Sequence, residues 1–399
     1  MEQTEFLIVG AGIVGLSIGR ELTRRYPGAR IAILEKEAQL AFHASGRNSG
    51  VLHAGFYYTS DSRKARFTAA GNREMTDYCL EHGLPINRCG KVVVASSEEE
   101  VAGIHELKRR GERNGVELHL LDAAQLKDIE PNARTVERAL FSPTTSSVDP
   151  SAVCRHIAAA FPRNVRILHG HRLLARQPGC VVTDRGKLAF RYLFNAAGLY
   201  ADRIARLFGA GAGVTVIPFK GIYLKYGRPG LIRRHVYPVP DLRNPFLGVH
   251  FTITVDGHIK IGPTAIPAFW RENYRAADRF KCDEFAEILR REARLFLFDH
   301  FGFRRLAFEE MRKYQRRFFI AQSQKLVLSL DVDGFTDYTR PGIRAQLLNT
   351  RTSELVMDFM VEHAERSTHV LNAVSPAFTS AFSFARHIVA ESAARVEAV

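Results

Sequence analysis

The chain has 399 residues, 46% of them hydrophobic and 25% charged, which is the composition of a globular protein with room for more than one hydrophobic core. Its formal net charge of +14 comes from dispersed basic residues without a nucleic-acid-binding motif, so we expect no nucleic acid among its partners. The five cysteines are odd in number and include no Cys-x-x-Cys pair, which disfavours a disulfide framework or a metal site and is typical of a reducing compartment.

The first predicted elements are a strand, a glycine-rich turn, a helix and a second strand. Residues 6–9 and 31–34 are continuous apolar runs typical of buried parallel strands, and residues 15–25 place apolar side chains on one helical face. Residues 10–15 read Gly-Ala-Gly-Ile-Val-Gly, and Glu35 follows the second strand. This arrangement is the fingerprint of a dinucleotide-binding unit. Its glycines let the backbone approach a pyrophosphate, and its carboxylate accepts hydrogen bonds from a ribose.

The later elements alternate between helices and strands. A long loop over residues 43–60 contains apolar residues and glycines, which favours a functional loop. Residues 215–265 are rich in strands and prolines, which favours an antiparallel sheet. Further helices are predicted at residues 62–82, 98–114, 122–130, 150–161, 283–300 and 375–396, and further strands at residues 91–95, 165–175 and 180–194.

Parallel-type strands occur early, in the middle and late in the chain. We therefore predict an α/β fold in which a discontinuous, Rossmann-like dinucleotide-binding domain is interrupted by a second, mostly antiparallel α+β substrate domain. The predicted dinucleotide-binding domain comprises residues 1–83, 146–213 and 326–399. The predicted substrate domain comprises residues 84–145 and 214–325.

Several segments match known motifs in order along the chain. Residues 195–202 (Asn-Ala-Ala-Gly-Leu-Tyr-Ala-Asp) resemble the second FAD-contacting strand and turn of flavoproteins that oxidise amines and hydroxy acids. The whole series, from about residue 5 to 390, resembles the L-2-hydroxyglutarate dehydrogenases and oxidases of the D-amino-acid-oxidase-like superfamily. The other matching segments are residues 46–58, 88–91, 236–241, 246–252, 262–265, 342–346 and 372–377.

This resemblance implies that the dinucleotide is FAD and that the first predicted domain is the FAD-binding one. The implied substrate is a small anionic 2-hydroxy acid. The residues expected to bind the cofactor are Gly10, Gly12, Ile13, Val14, Gly15, Glu35, Lys36, Ser45, Arg47, Asn48, Ser49, Gly50, Ala197, Gly198, Gly342, Arg344 and Pro376.

Three residues are candidates for catalysis. Oxidation of a 2-hydroxy acid requires a base for the hydroxyl proton, and imidazole is a suitable base near neutral pH. His53 and His250 stand in matching motifs, and either can be the base while the other orients the substrate. Arg344 follows a glycine turn and can pair with a carboxylate through two hydrogen bonds. The candidates for substrate binding are Tyr57, Lys220, Tyr237 and Arg47.

The chain departs from the family pattern at several positions, which leaves the identity of the hydroxy acid open. Arg47 stands where the family usually has histidine. Lys220 and Ile222 stand where the family has arginine and an acidic residue, so a bidentate fork and a carboxylate are missing. Thr264 and Phe378 replace residues that are smaller or carry an amide.

Three functions are compatible with the sequence. The first is an FAD-dependent oxidoreductase that acts on a CH–OH donor and converts L-2-hydroxyglutarate to 2-oxoglutarate by hydride transfer to flavin N5. The second keeps the superfamily but changes the substrate, as in an amino-acid or amine oxidase or a glycerol-3-phosphate dehydrogenase-like enzyme. The third is a non-catalytic flavin-binding redox partner, which the retained His53, His250 and Arg344 disfavour.

The location and the electron acceptor depend on weaker signals. The N-terminus has no basic region before its first strand, and the apolar stretch over residues 6–19 is shorter than the ~20 residues that a membrane span needs, so we expect a cytoplasmic protein. The basic residues can simply form a solvated surface, they can steer an anionic substrate, or they can attract lipid headgroups on the inner face of a membrane. Residues 304–306 and 312–319 motivate the last alternative, with a quinone as acceptor. Oxygen and another flavoprotein are the other acceptors considered.

Overall fold

The computed structural model describes residues 2–241 and 247–398. Phe246, which opens one of the matching segments, lies outside the described residues. The strands, in chain order, are β1 Glu2–Val9, β2 Ile31–Glu35, β3 Val51–Leu52, β4 Ile86–Asn87, β5 Lys91–Val94, β6 His119–Asp122, β7 Arg138–Ser142, β8 Ser146–Val148, β9 Val165–His169, β10 Leu173–Gln177, β11 Cys180–Thr183, β12 Gly186–Asn195, β13 Val214–Gly221, β14 Leu224–Tyr226, β15 His235–Pro238, β16 His250–Ile253, β17 Ile259–Gly262, β18 Ile266–Pro267, β19 Phe335–Tyr338, β20 Gly342–Asn349, β21 Met360–Ala364 and β22 Ser367–Asn372.

The α-helices, in chain order, are α1 Ile13–Arg25, α2 Arg63–Glu81, α3 Glu98–Arg113, α4 Ala123–Ile129, α5 Pro150–Ala159, α6 Ala201–Leu207, α7 Cys282–Leu297, α8 Phe303–Arg312, α9 Arg316–Gln324 and α10 Ala381–Glu397. The chain divides into two compact units. The first unit comprises Met1–Asn48, Pro150–Pro218 and Arg344–Val399, and the second comprises Ser49–Asp149 and Phe219–Ile343.

The first unit is built on one mixed sheet with the strand order β10-β11-β12-β1-β2-β9, and β22 pairs with β12 and with β21. Strand β1 pairs in parallel with both β12 and β2, and the apolar run over its last four residues, 6–9, is buried. The core contains Leu7, Leu34 and Leu193. Helix α1 follows β1 directly and contacts α10. The predicted discontinuous Rossmann-like fold is confirmed.

The second unit contains an eight-stranded sheet with the order β19-β14-β17-β16-β15-β5-β7-β6. Its strand pairs are antiparallel except for β5 with β15, which run in parallel. Val92, Phe251 and Ile261 are fully buried in the core of this unit. The predicted second domain with a mostly antiparallel sheet is confirmed. The parallel β5–β15 pair was not anticipated because its two strands are far apart in sequence.

The predicted domain boundaries differ from this division. Residues 49–83 belong to the second unit because β3 pairs with β8 and the side chain of Asn72 on α2 donates to two backbone carbonyls there. Residues 326–343 also belong to the second unit, where β19 pairs with β14. Residues 214–218 stay with the first unit, where the carboxylate of Asp202 accepts hydrogen bonds from this segment.

Most predicted elements are present, with shifts at their ends. The single strand predicted over residues 165–175 is wrong, because Gly170 adopts a positive φ of 66° and separates β9 from β10. The capping box of α4 is confirmed, since the Asp122 carboxylate accepts from the Gln125 N–H and the Gln125 side chain accepts from the Asp122 N–H.

Candidate functional site

The glycine-rich turn of the first unit leaves no room for side chains. Gly10 has a φ of +102°, and a Cβ there would lie 2.6 Å from the Ala196 carbonyl oxygen. A Cβ on Gly15 would lie 1.9 Å from the carbonyl oxygen of Gly10, and one on Gly12 would lie 2.9 Å from the Ser45 Oγ. The backbone is therefore bare at the start of α1, where a phosphate can approach the helix N-terminus.

Ser45 supplies the hydrogen-bond acceptor that this helix start lacks. The N-cap residue Gly12 has no side chain, and the Ser45 Oγ accepts from the Ile13 N–H at 2.9 Å. Because the acceptor is a neutral hydroxyl, the positive end of the helix dipole keeps its attraction for an anion. Ser45, Gly12 and Ile13 were all predicted to bind the cofactor, and the structure brings these three together.

Glu35 ends β2 with a buried carboxylate. One oxygen accepts from the Ala11 N–H at 3.1 Å and the other accepts from the Glu37 N–H at 2.9 Å. Each carboxylate oxygen can accept a second hydrogen bond, which fits ribose hydroxyls. The glycine turn and this carboxylate therefore fit a dinucleotide on geometric grounds.

The loop after β2 is held by its own side chains. Arg47 donates from Nε to the Phe42 carbonyl at 2.6 Å, and its guanidinium carbon lies 4.7 Å from the Phe42 ring centroid. Asn48 donates from Nδ2 to the carbonyls of Ala44 at 3.1 Å and Ser45 at 2.9 Å. These contacts fix the loop that carries Ser45. Direct contact of Arg47 or Asn48 with a ligand stays a prediction.

Other predicted cofactor residues of the first unit lie close to the chain segments already described. Lys36 forms an ion pair with Glu37, and its Nζ lies 5.5 Å from the Tyr200 ring centroid. Ala197 donates its N–H to the Asn195 Oδ1 at 3.1 Å, and Gly198 follows it with a positive φ of 54°. Of the remaining predictions, Val14 lies on α1, Arg344 on β20 and Pro376 after β22.

Ser49, Gly50 and Gly342 were predicted to bind the cofactor and belong to the second unit. The Ser49 Oγ accepts from the Val51 N–H at 3.3 Å. The Gly50 carbonyl accepts from the Val148 N–H at 2.9 Å, and Gly50 has a positive φ of 79°. Both residues therefore shape the chain that leads to His53.

His53 lies on the loop between β3 and α2 and is 9% exposed. Helix α3 fixes this loop. Asn114 at the helix C-terminus donates to the carbonyls of Gly55 and Tyr58, both at 3.0 Å. Arg110 donates to the Tyr57 carbonyl at 3.0 Å. The loop is thus anchored at three carbonyls within a few residues of His53.

His250 opens β16 and is buried in the same unit. Its imidazole stacks on the ring of Tyr237, with centroids 3.7 Å apart and an interplanar angle of 21°. Its Nδ1 lies 2.8 Å from the Gly248 carbonyl oxygen. A carbonyl can only accept, so Nδ1 carries a proton, and Nε2 is the nitrogen that acts as base in that tautomer. The tautomer required of a base at Nε2 is therefore set by the backbone.

Tyr57 and Tyr237, both predicted to bind substrate, contact one buried cation. The Nζ of Lys91 lies 4.5 Å from the ring centroids of Phe56 and Tyr57 and 4.8 Å from that of Tyr237. Burial is the largest factor that raises the pKa of Tyr57 well above its usual value, so its hydroxyl keeps its proton. Lys91 was missed from the sequence, although a lysine at the head of the apolar run Lys-Val-Val-Val was a visible signal.

Lys220 is 8% exposed and lies on β13 in the second unit. Its Nζ donates to the Asn273 Oδ1 at 3.3 Å. Burial lowers the pKa of Lys220, because its described hydrogen-bond partner is a neutral amide. Thr264, one of the departures from the family pattern, accepts from the Ile222 N–H at 3.0 Å and donates to the Lys220 carbonyl at 2.9 Å.

His235 is another buried residue, after Lys91, that sequence reasoning missed. It is fully buried, its Nδ1 accepts from the Ile253 N–H at 3.1 Å, and its Nε2 lies 3.3 Å from both the Cys89 Sγ and the Ser147 Oγ. Burial is the main factor that lowers the pKa of His235 to about 3, and the charge of Lys91 acts in the same direction. His235 is therefore neutral and serves packing.

Comparison with known proteins connects this arrangement to an enzyme family. The family model described as "FAD dependent oxidoreductase" matches residues 5–391. The L-2-hydroxyglutarate dehydrogenase of Escherichia coli K12 is 36% identical, over 97% of this chain and 92% of that protein. The mitochondrial L-2-hydroxyglutarate dehydrogenase of Homo sapiens is 34% identical, over 98% of this chain and 89% of that protein.

Solved structures share the fold at lower identity. The L-α-glycerophosphate oxidase of Mycoplasma pneumoniae with FAD bound superposes with a TM-score of 0.76 at 22% identity, covering 98% of this chain and 94% of that one. Glycine oxidase of Geobacillus kaustophilus superposes with a TM-score of 0.69 at 19% identity, covering 100% of this chain and 95% of that one.

Proposed function

Because the chain belongs to the DAO family of FAD-dependent oxidoreductases, we propose that it oxidises L-2-hydroxyglutarate to 2-oxoglutarate. The observation that carries this substrate is the 34–36% identity to L-2-hydroxyglutarate dehydrogenases over nearly the whole length of both proteins. The buried histidines and cations of the second unit supply the base and the positive charges that a hydroxy dicarboxylate needs.

The cofactor is FAD, as in the family. The glycine turn at residues 10–15, the N-terminus of α1 and the Glu35 carboxylate are the groups that would hold its pyrophosphate and ribose. When bound, FAD accepts a hydride from the carbon that bears the substrate hydroxyl. The protein's tasks are then to hold the substrate, remove the hydroxyl proton and exclude water.

His250 is the proposed base, and His53 the residue that orients the hydroxyl. The hydrogen bond from His250 Nδ1 to the Gly248 carbonyl leaves the Nε2 lone pair to take the proton, and the Tyr237 ring fixes the plane of the imidazole. His53 lies on a loop anchored by α3, which suits a residue that must hold one position.

Cationic side chains are the proposed partners of the substrate carboxylates. Lys220 forms no ion pair with any described residue, and its burial lowers its pKa, so an incoming carboxylate would offset the desolvation of the ammonium. Arg344 and Arg47 lie in the first unit and stay predictions for carboxylate binding, since a guanidinium can bind a carboxylate through two hydrogen bonds. Tyr57 and Tyr237 supply hydroxyl donors.

The test is an anaerobic titration of the purified holoenzyme while the visible flavin band is followed. The donors are L- and D-2-hydroxyglutarate, L-malate, L-lactate, glycerol 3-phosphate and sarcosine. Bleaching by L-2-hydroxyglutarate alone is the expected result. Bleaching only by another donor would refute the substrate and point to Arg47, Lys220 and Ile222 as the residues that change specificity. Bound flavin that no donor bleaches would support a non-catalytic flavoprotein.

We also infer that the second unit binds anionic lipid, which would place the enzyme beside a membrane quinone as electron acceptor. Within the described residues, no helix is both long and apolar enough to cross a bilayer. Helices α7 and α8 nevertheless expose large apolar side chains, with Leu297 72%, Phe298 70% and Phe308 62% exposed. The full set, named here the α7–α8 surface, is Leu289, Leu297, Phe298, Phe301, Phe308, Met311 and Tyr314.

Arginines accompany the α7–α8 surface. The rings of Phe296 and Phe308 lie 5.7 Å apart, so α7 and α8 pack against each other. Apolar side chains beside guanidinium groups suit the boundary between acyl chains and anionic headgroups. The exposed arginines of these two helices are Arg290, Arg294, Arg304, Arg305 and Arg312.

Vesicle co-sedimentation tests the α7–α8 surface. Vesicles of phosphatidylcholine with phosphatidylglycerol should bind the enzyme, and pure phosphatidylcholine should bind it more weakly. Binding should weaken with salt because the attraction is screened. Phe298→Ser should reduce binding, whereas Leu174→Ser, at a residue 53% exposed in the first unit, should not. Equal sedimentation with and without anionic lipid at low salt would refute the lipid proposal and leave oxygen or a second flavoprotein as acceptor.

A further inference from the structure

Lys91 is a fully buried cation in the middle of the large sheet of the second unit. It opens β5, which lies between β15 and β7, with Lys91 opposite His235 on one side and Ser142 on the other. Its Nζ is inaccessible and has no hydrogen-bond partner among the described residues. A buried amine without a carboxylate is costly to keep, so its retention requires another source of stabilisation or a function.

Three aromatic rings provide that stabilisation. Phe56, Tyr57 and Tyr237 surround the Nζ at 4.5, 4.5 and 4.8 Å from their centroids. An ammonium within about 6 Å of a ring face is attracted by the ring quadrupole, and the attraction grows when water is excluded. Two of these rings come from the loop that carries His53, and the third stacks on His250.

We propose that Lys91 is a positioning residue for the oxidation, which holds Tyr237 and through it the His250 imidazole. The inference rests on the proposed function, because it assigns His250 to the reaction. Tyr237 lies in contact with both groups, 4.8 Å from the ammonium and 3.7 Å from the imidazole. The same ammonium also fixes the Phe56–Tyr57 segment next to His53.

The charge of Lys91 also acts on a neighbouring histidine, His235. A cation in a low-dielectric interior disfavours another positive charge nearby. At His235 the charge of Lys91 is the second largest factor, after burial, that lowers the pKa. The titratable groups that the contacts place next to Lys91 are His235, Tyr57 and Tyr237.

Lys260 provides a matched control within the same sheet. It is also a buried lysine, 9% exposed, and its Nζ lies 4.7 Å from the Tyr223 ring centroid. Its described ring contact is with Tyr223 alone. Both lysines are therefore buried and contact a tyrosine ring. The contact with Tyr237, the ring that stacks on His250, is made by Lys91.

The experiment compares Lys91→Met with Lys260→Met in the holoenzyme, because methionine is an unbranched side chain only one atom shorter than lysine and carries no charge. Anaerobic stopped-flow mixing with L-2-hydroxyglutarate separates the flavin reduction rate from the substrate dissociation constant. The flavin reduction rate of Lys91→Met should be lower than that of the wild type by roughly tenfold or more, since small displacements of a reacting group have large effects on rate. At pH 7 its substrate affinity should stay close to that of the wild type and its melting temperature should not fall, and Lys260→Met should reduce the flavin at the wild-type rate.

A double variant distinguishes positioning from general damage. If Lys91 acts through Tyr237, then Lys91→Met should add little to the slow reduction of Tyr237→Leu. Additive losses, or a Lys91→Met variant that reduces at the wild-type rate, would overturn the inference while the proposed function stands. Absence of reduction by any 2-hydroxy acid in the wild type would overturn both.

Discussion

The candidate site of the first unit consists mainly of backbone groups, whereas that of the second unit consists of side chains. In the first unit, the glycines and backbone of residues 10–15 form the cradle, and Glu35 is held by two backbone N–H groups. In the second unit, the buried Lys91 amine lies among three aromatic rings, and one of these rings, Tyr237, stacks on His250. A backbone cradle tolerates no added atom, whereas a side-chain cluster is sensitive to charge.

The strictest test of the backbone cradle is Gly15→Ala. The new Cβ would lie 1.9 Å from the Gly10 carbonyl oxygen, so the turn itself must shift. We expect the purified protein to lose its FAD, as measured by the ratio of visible to ultraviolet absorbance. Gly19→Ala on the same helix is the control, because its Cβ would meet only side-chain ends of Ile33 and Phe161 at 3.1 Å. Full flavin content in Gly15→Ala would refute the cradle.

The largest kinetic effect is expected at His250. His250→Asn removes the Nε2 base, and general bases contribute roughly 10²–10⁴-fold to rate. The flavin reduction rate should fall by that order while flavin content stays normal. His258→Asn is the control, since that histidine is exposed near a turn of the same unit. A fall below tenfold would transfer the role of base to His53, which His53→Asn then tests.

Glu35→Gln tests how much the buried carboxylate of the first unit contributes to FAD binding. The amide keeps the shape but loses the charge and one acceptor, and hydrogen bonds to charged groups contribute about 1.5–3 kcal/mol. The FAD dissociation constant should therefore rise by roughly ten- to a hundredfold, measured by reconstitution of the apoprotein. Glu5→Gln is the control, since Glu5 accepts only an exposed hydrogen bond from Arg30 in the same unit. Equal affinity in both variants would show that Glu35 does not contact the cofactor.

The smallest effect concerns stability and comes from Lys91. Burial lowers the pKa of Lys91 to about 7, below its value of about 10.4 in an unfolded chain. Between these values the unfolded state binds more protons, so the free energy of unfolding rises with pH, by at most about 1.4 kcal/mol per unit. As the pH rises from 7 to 9, the melting temperature of the wild type should therefore increase relative to that of Lys91→Met. A constant difference across that range would contradict the lowered pKa of Lys91 in the folded state.

Much of the first unit could be predicted from sequence because its information is local. A continuous apolar strand, a Gly-x-Gly-x-x-Gly turn and an acidic residue after the next strand lie within thirty-five residues. In the structure the Ser45 Oγ accepts from the Ile13 N–H and the Glu35 carboxylate accepts from the Ala11 N–H in the glycine turn. The boundaries at residues 49–83 and 326–343 were not predictable, because they depend on which distant strands pair.

The sequence by itself determined the fold class, the cofactor and the histidines worth testing, since short motifs indicate each of them. Only the tertiary structure decided what surrounds them. Phe56, Lys91 and Tyr237 are separated by up to 181 residues, yet the Lys91 Nζ lies within 5 Å of both ring centroids. The parallel pairing of β5 with β15 brings Lys91 and Tyr237 together. No local pattern specifies that register, because strand pairing is selected by the burial of both strands in a common core.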